Sequence, residues 1–103
     1  LVAIIDNNGL SSHDPVNEVI NLGSLEDKFK SFNWNVITVK DGNNMKEVVE
    51  ALDKLDKLSG KPVAIIMKTV KGKGVSFLEN NPNCHSLTIS DKDFEQIKKD
   101  LDM

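Results

Sequence analysis

Several things are scarce in this chain. Its 103 residues include one cysteine, Cys84, along with no tyrosine, one tryptophan and three prolines. A single cysteine excludes an internal disulfide and points to a reducing compartment, so a cytoplasmic location is expected. Aromatics make up 5% of the residues and the formal net charge is −3, with no basic stripe interleaved with aromatics. Nucleic acid is therefore not an expected partner. No apolar run approaches the roughly 20 residues that cross a bilayer, and no secretory signal pattern is present, so no membrane is expected either. What is there is ordinary. The composition, 39% hydrophobic and 28% charged, is that of a folded rather than a disordered chain. This length allows one small domain or part of a larger one. The first residue is Leu1, not methionine, and it lies in an apolar run that reads as a core strand, so either removal of upstream residues or a piece of a longer polypeptide is expected.

The opening run, Leu1-Val2-Ala3-Ile4-Ile5, does not alternate, which fits a strand buried on both faces in a parallel sheet. It breaks into Asp6-Asn7-Asn8-Gly9, residues that favour turns and that carry hard oxygen donors of the kind Mg²⁺ and Ca²⁺ prefer. An ordinary turn has the same composition. Residues 11–23 read as a long loop. Ser24 starts a short helix ending near Asn33, with Leu25, Phe29 and Phe32 on one face. Residues 34–40 are rich in β-branched side chains and read as a second strand, and Asn43 or Asn44 caps the helix after it. Met45, Val48, Val49, Leu52, Leu55 and Leu58 form the apolar stripe of this second helix, with Glu50 four residues before Lys54; Gly60 and Pro62 end it. Residues 62–67 form the third strand. From Ser90, a closing helix carries Phe94, Ile97 and Leu101.

This alternation predicts an α/β fold, the βαβαβ portion of a doubly wound parallel sheet with right-handed crossovers. Ligands in such sheets collect at the carboxyl ends of the strands. The Asp6–Gly9 cluster falls at one such end. Thr69-Val70-Lys71-Gly72-Lys73-Gly74-Val75 falls at another, with glycines that permit a tight bend and with lysines and amides suited to an anion such as phosphate. It is not the P-loop pattern, and a solvated turn is the alternative. The loop at residues 80–86 holds His85, which has the chemistry of an acid, a base or a hydrogen-bond donor. Zinc ligation by Cys84 and His85 is disfavoured, because adjacent residues lack ligand spacing. His13 sits in the first loop, within reach of the same edge, but no spacing connects it to His85.

Taken in order, I-I-D-N-N-G-L, K-F-K-S-F-N-W-N-V-I-T-V-K-D-G, G-K-P-V-A-I-I-M-K-T-V-K-G-K-G-V-S-F-L-E-N-N and C-H give the chain a family resemblance. It resembles the later part of the thiamine-diphosphate-binding domain of transketolases, particularly the N-terminal subunit of split transketolases, over essentially its whole length. The resemblance implies transfer of a two-carbon ketol unit between sugar phosphates, with thiamine diphosphate and Mg²⁺ (or Ca²⁺). It assigns Asn8 and the backbone carbonyl of Leu10 to the metal, and Asn8, Gly9, Leu10, Lys71 and His85 to the cofactor, His85 being the catalytic candidate. The family's third metal ligand, the Asp of an upstream G-D-G motif, is not among these residues. Two stretches depart from the family: Cys84-His85-Ser86 stands where W-H-G is usual, and Ser11-Ser12-His13-Asp14 where Q-I-D-G is frequent.

The partners implied are the upstream part of the same domain and a pyrimidine-binding, C-terminal subunit, in a homo- or hetero-oligomer that takes sugar phosphates. These residues alone are expected to be the later part of one domain and to catalyse nothing. The alternatives are another thiamine-diphosphate enzyme on the same scaffold, or a degenerate domain kept for binding or assembly.

Overall fold

A computed structural model describes residues 1–103. The chain forms two compact units, each drawn from two stretches: Leu1–Asn8 with Asn21–Thr69, and Gly9–Ile20 with Val70–Met103. Its strands are β1 (Val2–Asn7), β2 (Leu10–Ser11), β3 (Asp14–Pro15), β4 (Asn35–Val39) and β5 (Val63–Lys68). Its helices are α1 (Val16–Val19), α2 (Leu25–Ser31), α3 (Met45–Asp53) and α4 (Asp91–Asp100). None is long and apolar enough to cross a membrane.

The first unit is the expected parallel sheet, in the order β1-β5-β4, with Ile4 opposite Ile65 and Ile65 opposite Ile37. The central strand is β5, and its apolar run is the one buried throughout, from Val63 to Met67. The alternation of β4 divides the faces. Ile37 and Val39 join Ala51 of α3 in the core with Val63, Ile65 and Met67. Thr38, pointing the other way, donates to Glu26 of α2 at 2.6 Å. The two crossover helices therefore lie on opposite faces, which is the doubly wound arrangement.

Three local expectations need correcting. Burial on both faces holds for β5 but not for β1, where Val2 is 43% and Ile4 59% exposed. The reason is position: β1 is an edge strand paired with β5 alone. In α2, Ser24 caps as expected, accepting from the Asp27 amide at 3.1 Å, and Phe29 meets Trp34 edge-on. Phe32 lies one residue past the helix end and is 79% exposed.

The second predicted helix stops at Asp53, and Leu55–Lys57 forms a separate 3₁₀ turn. Asn44 is its cap, accepting from the Lys46 amide at 3.0 Å. The buried line runs through Val48, Ala51, Leu55 and Leu58, whereas Met45, Val49 and Leu52 are exposed. Ala51 escapes a reading based on bulk, yet its small side chain is what lets α3 approach the sheet closely. No ion pair joins Glu50 and Lys54 (both line a surface groove), so that spacing adds no contact.

In the second unit, the expected loop carries structure of its own. β2 and β3 pair antiparallel, α1 comes next, and the Val16 amide donates to the Gly9 carbonyl at 2.9 Å. Residues Pro82–Ser86 form a 3₁₀ turn begun by Asn81, whose side chain accepts from the Asn83 amide at 3.0 Å. Helix α4 opens with a Ser90–Asp93 capping box. Near its end, Asp100 accepts from both the amide and the hydroxyl of Ser76, each at 2.7 Å.

Candidate functional site

The turn after β5 belongs to the second unit and is shaped by its glycines. Gly72 has φ +76°, and a Cβ there would come within 2.7 Å of the Leu78 carbonyl carbon. Only glycine combines that conformation with so close a backbone approach. The amides and lysines of this turn suit an anion, and the chain supplies one itself. Glu79 takes the Gly74 amide at 3.1 Å and pairs with Lys73 at 3.2 Å. The amide bond and then the lysine hold the Glu79 carboxyl below its usual range. Glu79 thus already occupies the Gly74 amide and Lys73, two of the groups in this turn suited to an anion. Of the pair, Lys71 remains outside any ion pair.

Lys71 is half-buried and makes two contacts. Its Nζ donates to the Ser12 carbonyl at 3.0 Å and lies 3.3 Å from His85 Nδ1. The Lys71 carbonyl receives the Asn80 amide at 2.9 Å, which fixes the lysine's backbone to the far side of the turn. His85 is exposed, on the 3₁₀ turn, and the ring of His13 meets it edge-on with centroids 5.4 Å apart and planes at 83°. The second unit thus brings Lys71 and His85 together and adds Ser12 and His13. Neither addition was legible in the sequence, since 72 positions separate the two histidines and no periodicity spans them.

The other candidates lie along one continuous stretch. Asp6, in β1, accepts from the Thr69 hydroxyl beyond β5, so this acid ties two strand ends of the first unit. Asn8, half-buried, comes directly after β1 in the first unit. Gly9 and Leu10 open the second unit. Gly9 has φ +78° with nothing within 4 Å of a Cβ position, so its conformation, not crowding, calls for glycine. No group of three or more His, Cys, Asp or Glu side chains is placed to hold a metal ion. Along this stretch Asn8 and Leu10 offer amide and carbonyl oxygens, hard neutral donors of Mg²⁺ and Ca²⁺ chemistry, and Asp6 offers a carboxylate that already takes the Thr69 hydroxyl. Cys84 is a free, half-buried thiol.

Comparison with known proteins shows the family and the fold. The family model "Transketolase, thiamine diphosphate binding domain" matches residues 1–103. The chain is 32% identical over 102 residues to the 6-deoxy-6-sulfo-D-fructose transketolase subunit of Clostridium sp. (strain MSTE9), covering 99% of this chain and 37% of that one. It is 32% identical to an apulose-4-phosphate transketolase subunit of Phocaeicola vulgatus, covering 98% of this chain and 36% of that one. Against transketolase of Homo sapiens the identity is 31%, with 16% of the human chain covered. The chain therefore spans little more than a third of the subunit relatives. Among solved structures, transketolase of Pichia stipitis in complex with sedoheptulose-7-phosphate superposes with a TM-score of 0.86 at 23% identity, over 99% of this chain and 15% of that one.

Proposed function

The chain belongs to the transketolase thiamine-diphosphate-binding domain family, and from that premise we propose that it is the later part of such a domain in a two-carbon ketol transferase. The observation that carries the site reading is the meeting of Lys71 and His85 in one unit, at 3.3 Å. These are the residues the family resemblance assigns to the cofactor, and they are cationic or hydrogen-bonding groups suited to a diphosphate and a sugar phosphate.

Bound thiamine diphosphate supplies the carbanion chemistry that ketol transfer needs, and Mg²⁺ or Ca²⁺ neutralises its diphosphate. In this reading the Asn8 side chain and the Leu10 carbonyl hold the ion, Lys71 meets the diphosphate, and His85 serves the reacting sugar. The donor set fits that role. Asn8 and Leu10 offer neutral oxygens, and the family resemblance implies that the diphosphate and an upstream acidic ligand would balance the ion's charge. The same reasoning supports inactivity of these residues alone.

Assembly with the rest of the domain and with a pyrimidine-binding subunit has its own support in β1. This strand presents an unpaired edge with Ile4 59% exposed, and uncovered apolar edges invite further strands or helices. The substrates proposed are a ketose phosphate donor and an aldose phosphate acceptor, in the cytoplasm.

Calorimetric titration of the full-length protein, assembled with its partner subunit, tests the reading. Thiamine diphosphate should bind only with Mg²⁺ or Ca²⁺ present, and Asn8→Ala should weaken it more than tenfold, roughly the loss of one charge-assisted ligand. Absence of binding to the assembled protein would leave a domain kept for assembly, the reading that the Cys84-His85-Ser86 departure favours.

A further inference from the structure

We infer that Lys71 and His13 are positioning residues that hold His85 in its Nε2–H form, so that His85 meets a ligand as a hydrogen-bond donor and not as a base. Lys71 sets the tautomer. An ammonium group has three donors and no acceptor, so the His85 Nδ1 at 3.3 Å must provide the lone pair. In a neutral imidazole the hydrogen then resides on Nε2. Lys71 is aimed by its second bond, to the Ser12 carbonyl at 3.0 Å. Ser12 has φ +56°, a left-handed conformation that turns the short hairpin between β2 and β3.

The next residue, His13, places its ring against that of His85 at 5.4 Å and 83°, the edge-on geometry that aromatic pairs favour. Adjacent residues of one hairpin thus direct the lysine and restrict the plane of the imidazole. The result is a fixed Nε2–H directed away from the ammonium group, a donor that selects ligand oxygens carrying lone pairs, such as a sugar carbonyl, a hydroxyl or a phosphate oxygen. It does not suit a metal ion or proton abstraction. Which oxygen is met rests on the cofactor reading; the state of the ring stands without it.

The ring state is measured directly in full-length protein labelled with ¹⁵N-histidine. Long-range ¹H–¹⁵N correlations, at a pH where the ring is neutral, report which nitrogen carries the hydrogen. His85→Gln identifies the signal. Because free histidine already leans toward the Nε2–H form, the deciding quantity is the change between wild type and variant. Lys71→Met should shift the tautomer ratio about tenfold toward Nδ1–H, the weight of one charge-assisted hydrogen bond. His13→Ala should broaden or average the His85 signal, and His13→Phe, which keeps a ring edge, should restore it.

A wild-type ring with its hydrogen on Nδ1 would overturn the proposal. So would an unchanged ratio in Lys71→Met together with an unchanged signal in His13→Ala, both with native amide spectra. Should Lys71→Met fail to fold, the His13→Ala and His13→Phe pair decides alone, since indistinguishable His85 signals in that pair would refute the restraint. No cofactor is present in these spectra, so their outcome is separate from that of the thiamine diphosphate titration. In the assembled protein, His13→Ala should lower kcat, and His13→Phe should recover it.

Discussion

Two glycines of the second unit make a controlled experiment. Gly72 and Gly9 have nearly the same backbone conformation, φ +76° and +78°. An alanine at either position suffers the left-handed penalty, about 1–2 kcal/mol, partly offset by stiffening of the unfolded chain. There the likeness ends. At Gly9 a Cβ has nothing within 4 Å, whereas at Gly72 it would sit 2.7 Å from the Leu78 carbonyl carbon and 2.8 Å from the Leu78 Cβ. Backbone must move to relieve that contact, and overpacking of this kind costs about a further 1–3 kcal/mol. The bonds at risk are Asn81 N–H to the Leu78 carbonyl, 3.1 Å, and Asn80 N–H to the Lys71 carbonyl, 2.9 Å.

Gly72→Ala should therefore destabilise the second unit by about 3 kcal/mol and Gly9→Ala by about 1 kcal/mol. The gap of about 2 kcal/mol corresponds to roughly a 30-fold difference in opening. Native-state hydrogen exchange at the Asn80 and Asn81 amides reads it, with urea denaturation as the global check. Equal losses in the two variants would refute the close approach of the turn to Leu78. A Gly72→Ala loss under about 1 kcal/mol would do the same.

Three carboxyls of the second unit have lowered pKa values: Glu79 through the Gly74 amide and Lys73, Asp93 through the Ser90 hydroxyl and amide, and Asp100 through the Ser76 hydroxyl and amide. Lowered values stabilise the folded state above the ordinary values of 4.5 for Glu and 3.8 for Asp, and that contribution is lost as pH falls through the folded ones. The denaturation midpoint of the second unit should drop with acidification below that range, less so in Asp100→Asn; a midpoint constant down to about pH 2 contradicts this. In α3, Ala51→Leu should cost about 1–3 kcal/mol by overpacking against the sheet, whereas Met45→Ala should stay within about 0.5 kcal/mol, both read from urea midpoints. Ser90→Ala removes the cap of α4 and should cost about 1 kcal/mol, visible as faster exchange of the Asp93 amide.

What could be read from the sequence was what local chemistry decides. Ser24, Asn44 and Ser90 cap their helices because a short side-chain oxygen three residues before a free amide has few better uses. The unbroken run at Val63–Met67 marks the central strand, since only a strand with neighbours on both edges and cover on both faces needs apolar residues throughout. The run at Val2–Ile5 looks the same in sequence but lies at the sheet edge. Its composition alone does not distinguish an edge strand from a central one. Apolar stripes fared similarly: bulk drew attention to Met45 and Leu52, while the buried position fell to Ala51. The site was legible only in part. The Lys71 turn and His85 stood out by residue type and took their cofactor assignment from family resemblance, while the contacts of Glu79, Ser12 and His13 act across turns or distant segments that no short-range pattern encodes.

The interleaving of the two units has a consequence for how the chain acquires its shape. The first unit has all its residues once Thr69 has been made, but β1 and β5 can pair only by closing a loop of some sixty positions, and residues 9–20 leave at the start of that loop as a separate excursion. Long closure is entropically slow. The hairpin carrying Ser12 and His13 must then wait for residues 70–103 before its partners exist. During synthesis the emerging chain would therefore hold the β1-β5-β4 sheet with the second unit unformed, and a break anywhere in residues 9–20 would sever the covalent path between β1 and the rest of its sheet. A protease-sensitive window that closes only after the C-terminal helix emerges is the expected signature on the ribosome.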